Sequence, residues 1–230
     1  MDMENRFAVL TGNQLKLIAA AAMFLDHAGI LLFPHIRLFR ILGRLAYPIF
    51  AYMIAEGCRY TRNKLWHFSM LFGLGAGCQL VYYFFSGDTY LNILLTFSVS
   101  VLLIYALQAA CGTHRRGLWS AVFAAGVIGA IGLDMLVTID YGFWGMMTPV
   151  FVAFSQGKGK TGSKLPVLML FVGLLLLAAD MGGMQHYALL SLPVVYLYSG
   201  KRGKANMKCF FYIFYPVHLV LLQGIAMLMR

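Results

Sequence analysis

Residues 91–110 read LNILLTFSVSVLLIYALQAA, twenty positions without a charged side chain. About 20 apolar residues is the length at which an α-helix crosses the hydrocarbon core of a bilayer. Lipid offers no partner to an open backbone N–H or C=O, so a run of this length reads as a membrane-spanning helix. Runs of the same character recur at 15–33, 45–58, 66–85, 118–137, 142–154, 165–180, 186–198 and 208–229. That makes nine segments. Those at 45–58, 142–154 and 186–198 are short, so the count falls to eight if one pair is re-entrant or lies in the interface.

The runs and their connections use up the 230 residues. The chain is therefore expected to be one domain, 1–230, an all-α polytopic membrane bundle of eight or nine helices whose function is built from the spans themselves. Composition agrees, at 61% apolar and 11% charged against about 45–50% and about 25% in soluble domains. A disordered chain, a coiled coil and a cysteine-rich secreted scaffold are excluded by the same balance. Few apolar residues precede Ala19 and the run continues to Phe33, so 15–33 reads as a retained span rather than a cleaved signal peptide.

The formal net charge of +10 reads as topology. Of the 18 basic residues, 12 sit in four connections: Arg59, Arg62, Lys64, Arg115, Arg116, Lys158, Lys160, Lys164, Lys201, Arg202, Lys204 and Lys208. The alternate connections near 86–90, 138–141 and 181–185 hold no Lys or Arg, and Asp88, Asp140 and Asp180 lie in or beside them. Lys and Arg collect on the cytoplasmic side of a membrane. The expected arrangement is a multi-pass protein of the cell membrane with its N-terminus (Arg6, Lys16) in the cytoplasm, with the lipid bilayer and not nucleic acid as its surroundings. One connection breaks the pattern, because Arg37, Arg40 and Arg44 fall on the outer side. Their i, i+3, i+7 spacing puts them on one helix face, either resting on headgroups or gripping an anion.

Some features carry no chemistry. Cys58, Cys78, Cys111 and Cys209 lack C-x-x-C spacing and are expected as free thiols, with no zinc site and no other metal. Gly73 with Gly77, and Gly126 with Gly129 and Gly132, thin two helices for close packing. Gly159, Lys160 and Thr161 mimic the end of a phosphate-binding loop, but Phe154 stands where its first glycine belongs.

Ionisable groups inside spans are costly, about 2.5–3.5 kcal/mol each, and so point to function. They are Asp26 and His27 in the first span, Glu56 near the cytoplasmic end of the second, Asp134 and Asp180 near outer ends, and His218 in the last. At 1.5 Å per residue, His27 and His218 lie at similar depth, roughly 18 and 15 Å along their helices. Two such histidines can face one cavity. Asp26, about 100° around the helix from His27, is expected to meet a partner on another helix, Arg44 or His218. Tyr212, Tyr215 and His218 form a polar stripe at i, i+3 spacing beside Pro216.

Five motifs complete the reading: MFLDH (23–27), GRLAYPIFAYMIAEGCRYTRN (43–63), LN (91–92), DYGFWG (140–145) and FYPVHL (214–219). Together they resemble the TraX family, linked to N-terminal acetylation of conjugative F-pilin, and more distantly the multispan acyltransferases that draw acyl-CoA from the cytoplasm. The resemblance covers nearly the whole chain. It implies acetyl-CoA as donor and a protein N-terminus or a surface molecule as acceptor. It further implies His27 as general base, with Asp26 holding or tuning it. Tyr215 and His218 would serve the oxyanion or the acceptor. Arg59 and Arg62 would meet the CoA phosphates with Glu56 positioning them, and Arg40 and Arg44 would line the cavity, bind an outside acceptor or join in holding the CoA phosphates. Acyl transfer needs these three services, a base, an oxyanion donor and a phosphate grip. A proton-coupled secondary transporter, with helices broken near Pro48 and Pro216, stays open beside it, as does a scaffold of a secretion apparatus.

Overall fold

A computed structural model describes residues 8–87, 89–112, 114–156, 164–205 and 207–229, with the backbone alone at 85, 86, 208 and 209. Arg6, Asp88, Lys158, Lys160 and the stretch 159–161 lie outside the described residues, as do the side chains of Lys208 and Cys209.

All nine apolar runs become helix. The order is α1 Gly12–Leu31, α2 Arg37–Gly43, α3 Ala46–Tyr60, α4 Lys64–Ser86, α5 Ile93–Gly112, α6 Arg116–Leu136, α7 Gly142–Gln156 and α8 Leu165–Met181. A 3-10 helix Gly183–Leu190, α9 Ser191–Tyr196 and α10 Lys208–Leu228 follow. Among the described residues five stretches are long and apolar enough to cross a bilayer: α1, α2 with α3 (Arg37–Tyr60), α5, α6 and, within α10, Phe210–Leu228. The 15 residues of α7 reach only about 22 Å, and the run at 186–198 is a 3-10 turn leading into a short α-helix rather than one straight crossing. The molecule is an all-α, multi-pass membrane bundle.

Local sequence sets the ends. Thr11 and Gln14 form a capping box at the start of α1, Asn63 caps α4 by accepting from the Trp66 N–H at 2.9 Å, and Pro166 opens α8, each satisfying or omitting a donor that the first turn leaves free. Connections are tied in pairs. Leu10 bridges to Tyr198 at one end and Leu91 to Ile139 at the other, so the lead into α1 closes on the chain that leads into α10.

The core lies on α3, α5 and α7. Ten residues of α3 and nine of α7 are buried, whereas α6 buries Ala130 alone among its described residues and turns its apolar surface outward. Pro149 inside α7 has no N–H for the carbonyl four residues earlier. That carbonyl, of Gly145, accepts instead from the Tyr47 hydroxyl at 2.9 Å, which fastens α3 to α7. Ser100 on α5 donates to the Met146 carbonyl at 2.8 Å across the next interface.

The glycine expectation needs correction. A β-carbon on Gly73, Gly77, Gly129 or Gly132 would meet nothing within 4 Å, and of that set only Gly126 approaches another helix, at Leu103. Close approach occurs elsewhere, at Gly43 against Asp26, Gly29 against Phe39 and Gly173 against Thr148. The segment 37–44 is helix over Arg37–Gly43, with Arg37, Leu38 and Leu42 exposed. It packs on α1 and leads, after a two-residue break, straight into α3.

Candidate functional site

Two helices from opposite ends of the chain build the centre of the site. α1 carries His27 and α10 carries His218, and the rings meet edge to face with centroids 5.0 Å apart and His218 Nε2 3.2 Å from His27 Nδ1. Each ring is held by its own helix: His27 Nδ1 lies 2.9 Å from the Met23 carbonyl and His218 Nδ1 2.8 Å from the Phe214 carbonyl. Phe214 stacks on His218 at 4.7 Å and Tyr215 approaches it edge-on at 5.8 Å. Tyr215, His218 and Leu222 are buried, the i, i+3, i+7 face that α10 turns inward.

Asp26 takes the other side of α1. Its carboxylate accepts from Arg44 through both oxygens, at 2.9 and 2.7 Å, and from Arg40 at 3.0 Å. Of the two partners expected for Asp26, Arg44 is the one found. Gly43 permits this, because α2 lies against the Asp26 backbone where any side chain would collide. Arg44 is 8% exposed, and its Nε makes no hydrogen bond among the described residues. Two guanidinium groups against one carboxylate leave one unit of positive charge beside the histidines. The exception to the basic-residue pattern thus has an internal answer, since Asp26 offsets part of the charge of α2.

The DYGFWG stretch lies at the same end of the bundle. The Asp140 carbonyl accepts from Thr96 at 2.8 Å, its N–H donates to the Leu91 carbonyl at 2.9 Å, and its carboxylate accepts from the Tyr90 hydroxyl at 3.0 Å. Tyr141 adopts φ 63°, a conformation that bulky residues adopt at a cost. Its ring is held there by stacking on Tyr47 at 4.0 Å. Withdrawal from water pushes the Asp140 carboxyl up to about 6, against the hydrogen bond from Tyr90 and the charge of Arg44, with Asp26 adding to the rise.

The remaining expected residues sit elsewhere. Glu56 is twelve residues beyond Arg44, about 18 Å along the helix, at the end where Arg59, Arg62 and Lys64 are exposed. Among the described residues Glu56 makes no ion pair with either arginine. It is 7% exposed and accepts from Gln156 Nε2 at 2.9 Å and from the Tyr198 hydroxyl at 3.3 Å, because a buried carboxylate must be hydrogen-bonded. Arg59 lies over the Tyr60 ring at 5.4 Å. Nearby, His67 Nδ1 is 2.7 Å from the Tyr105 hydroxyl.

The structure therefore joins His27, Asp26, Tyr215, His218, Arg40 and Arg44 in one half of the bundle and leaves Glu56, Arg59 and Arg62 at the other end. Arg40 and Arg44 do not share a site with Arg59 and Arg62. The sequence alone assigns no site role to Tyr47, Tyr90, Asp140, Gln156 and Tyr198. Asp140 was signalled by its motif, whereas Gln156 and Tyr198 carry no local mark, since they meet Glu56 from 100 and 142 residues away.

The chain has relatives among known proteins. Residues 11–226 match the family model described as TraX protein. The chain is 28% identical over 238 residues, 94% of its own length and 96% of the relative's, to a probable fimbrial assembly protein FimC, serogroup H1, of Dichelobacter nodosus. No solved structure matches it.

Proposed function

The chain belongs to the TraX family, and on that premise we propose that it is an integral membrane acetyltransferase, moving an acetyl group from cytoplasmic acetyl-CoA to an amine or hydroxyl acceptor at the outer face. The relative's name, a fimbrial assembly protein, favours the N-terminus of a pilus subunit as acceptor. The observation that carries the reading is the contact of His27 with His218 beside the net-positive group of Asp26, Arg40 and Arg44.

In this reading His27 takes the proton of the acceptor N–H or O–H as the acceptor attacks the thioester carbonyl carbon. The carbonyl oxygen becomes an oxyanion, whose charge the net-positive group of Arg40, Arg44 and Asp26 offsets. The C–S bond then breaks, and the CoA thiolate leaves with the proton that His27 had taken. An imidazole suits that exchange near neutral pH, and a buried cation suits an oxyanion formed away from water. Arg59, Arg62 and Lys64 offer exposed positive charge to the CoA phosphates. By the basic-residue rule their end is cytoplasmic, which puts the N-terminus there too. From the start of α1 to His27 is 15 residues, about 22 Å, so the pantetheine arm has to run deep into the bundle.

The test is binding of CoA by the purified protein, followed by release of free thiol from acetyl-CoA in the presence of N-terminal peptides and hydroxyl acceptors. His27→Ala is expected to keep the protein inserted and folded and to abolish transfer. If neither CoA binding nor His27-dependent turnover occurs, the enzyme reading fails.

A further inference from the structure

The His27–His218 pair contains four ring nitrogens, and three of them are engaged: both Nδ1 atoms and Nε2 of His218. A carbonyl oxygen only accepts. The Phe214 carbonyl at 2.8 Å therefore requires a hydrogen on His218 Nδ1, which in the neutral ring leaves Nε2 as an acceptor. The Met23 carbonyl at 2.9 Å likewise requires a hydrogen on His27 Nδ1. That hydrogen also faces His218 Nε2 at 3.2 Å, so it is shared between the carbonyl and the second ring. This is the arrangement in which all three contacts pair a donor with an acceptor. Reversing the bond between the rings turns the His27 Nδ1 lone pair toward the Met23 oxygen.

Asp26 does not compete for this role, since its oxygens are taken by Arg40 and Arg44. The group that commonly orients a catalytic imidazole is a carboxylate, which fixes the tautomer and stabilises the imidazolium. Here a neutral imidazole stands in that place. It is itself fixed by its helix carbonyl and by the stacked ring of Phe214 at 4.7 Å.

We propose that His218 is a positioning residue that holds His27 as its Nδ1–H tautomer, leaving His27 Nε2 as the single nitrogen of the pair that receives the acceptor's proton. The inference rests on the assignment of His27 as general base under Proposed function, but the tautomer is measurable without turnover. When His27 Nε2 gains its proton, Nδ1 keeps its own, and the shared bond to His218 strengthens without a proton leaving the ring. Proton count is conserved: the proton arrives from the acceptor and departs on the CoA thiol.

The experiment is nitrogen NMR of the full chain in lipid nanodiscs with ¹⁵N-labelled histidine, His27 being assigned by the signal missing in His27→Ala. The expected wild-type spectrum shows His27 Nδ1 protonated and Nε2 unprotonated. In His218→Phe the tautomers of His27 should mix and kcat for acetyl transfer fall on the order of 100-fold, with KM for acetyl-CoA unchanged. In His218→Gln, whose amide oxygen accepts at similar reach, the wild-type tautomer and most of kcat should return. A wild-type His27 protonated at Nε2 overturns the inference, and so does a His218→Phe protein that keeps the tautomer and the rate. If His218→Phe does not fold, the wild-type spectrum and His218→Gln decide. Absence of acetyl turnover in the wild type would instead sink the enzyme reading while leaving the tautomer as measured.

Discussion

Gly43 and Asp26 meet backbone to backbone: a β-carbon built on Gly43 would stand 2.7 Å from the Asp26 Cα. Neither partner can swing away as the tip of a long side chain does. Gly43→Ala is therefore expected to push α2 off α1, costing about 1–3 kcal/mol for an overpacked contact and pulling Arg44 away from Asp26. Gly73→Ala and Gly77→Ala face open space and are expected to be neutral or slightly stabilising. Thermal unfolding of the three variants in detergent measures the difference. A Gly43→Ala protein as stable as Gly73→Ala would show that the α1–α2 contact yields freely.

That contact also marks what the sequence could and could not say. Nine apolar runs with basic and acidic connections in alternation fix an all-α membrane bundle, because lipid leaves the backbone so few choices. Depth along a helix follows from 1.5 Å per residue, so counting alone gives His27 and His218 similar depth. Rotation about a helix axis was not legible in the same way. The α10 face of Tyr215 and His218 shows as a stripe, but nothing local chooses Arg44 over His218 as the partner of Asp26 or says that Glu56 meets Gln156 and Tyr198. The glycines misled because G-x-x-x-G spacing describes a smooth face without saying that a helix lies against it. α4 turns Gly73 and Gly77 to open space, while close approaches fall at Gly29, Gly43 and Gly173, outside that spacing.

Removing the carboxylate of Asp26 leaves two guanidinium groups facing one another with no counter-charge. The Arg44 side chain is the more buried of the two, at 10% relative exposure against 28% for Arg40. Asp26→Asn is expected to cost about 3 kcal/mol, the scale for stranding a buried charge. Adding Arg44→Met to Asp26→Asn should recover part of that loss, whereas Arg40→Met alone should cost no more than about 1 kcal/mol. A double-mutant cycle on unfolding midpoints reads the coupling. Strict additivity of Asp26→Asn and Arg44→Met would mean that the pair is not coupled.

Asp140 gives the protein a pH dependence whose sign is fixed by its surroundings. Its carboxyl, raised to about 6 chiefly by withdrawal from water, has a value near 3.9 when unfolded. The native state therefore holds this proton more tightly than the unfolded chain does. The resulting stabilisation is complete below the unfolded value and is lost as pH rises through about 6. Wild-type protein is expected to unfold at a higher temperature at pH 5 than at pH 7.5 on this account, and Asp140→Asn should reduce that difference. Should Asp140→Asn retain the full pH dependence, another group is responsible.

The separation of the two basic groups gives the proposed reaction its sharpest kinetic signature. Arg59 and Arg62 are exposed at the end of α3 and beyond it, so charge removed there acts on a solvated ligand. Binding of CoA phosphates to such a rim is electrostatic and screened by salt, and it is realised equally in ground state and transition state. Arg59→Gln with Arg62→Gln should raise KM for acetyl-CoA, by on the order of 10-fold, and flatten its salt dependence while leaving kcat in place. Arg44 lies buried in the other half of the bundle, where in the proposed reaction an oxyanion exists only during transfer. Arg44→Lys keeps the charge but loses the planar fork, so it should lower kcat by about 10²-fold, the scale of a lost oxyanion donor, with KM little changed. Steady-state kinetics of the two proteins at low and high salt separate the cases. If the Arg59 and Arg62 variant loses kcat instead, CoA is not held at the basic end and the donor enters the bundle by another route.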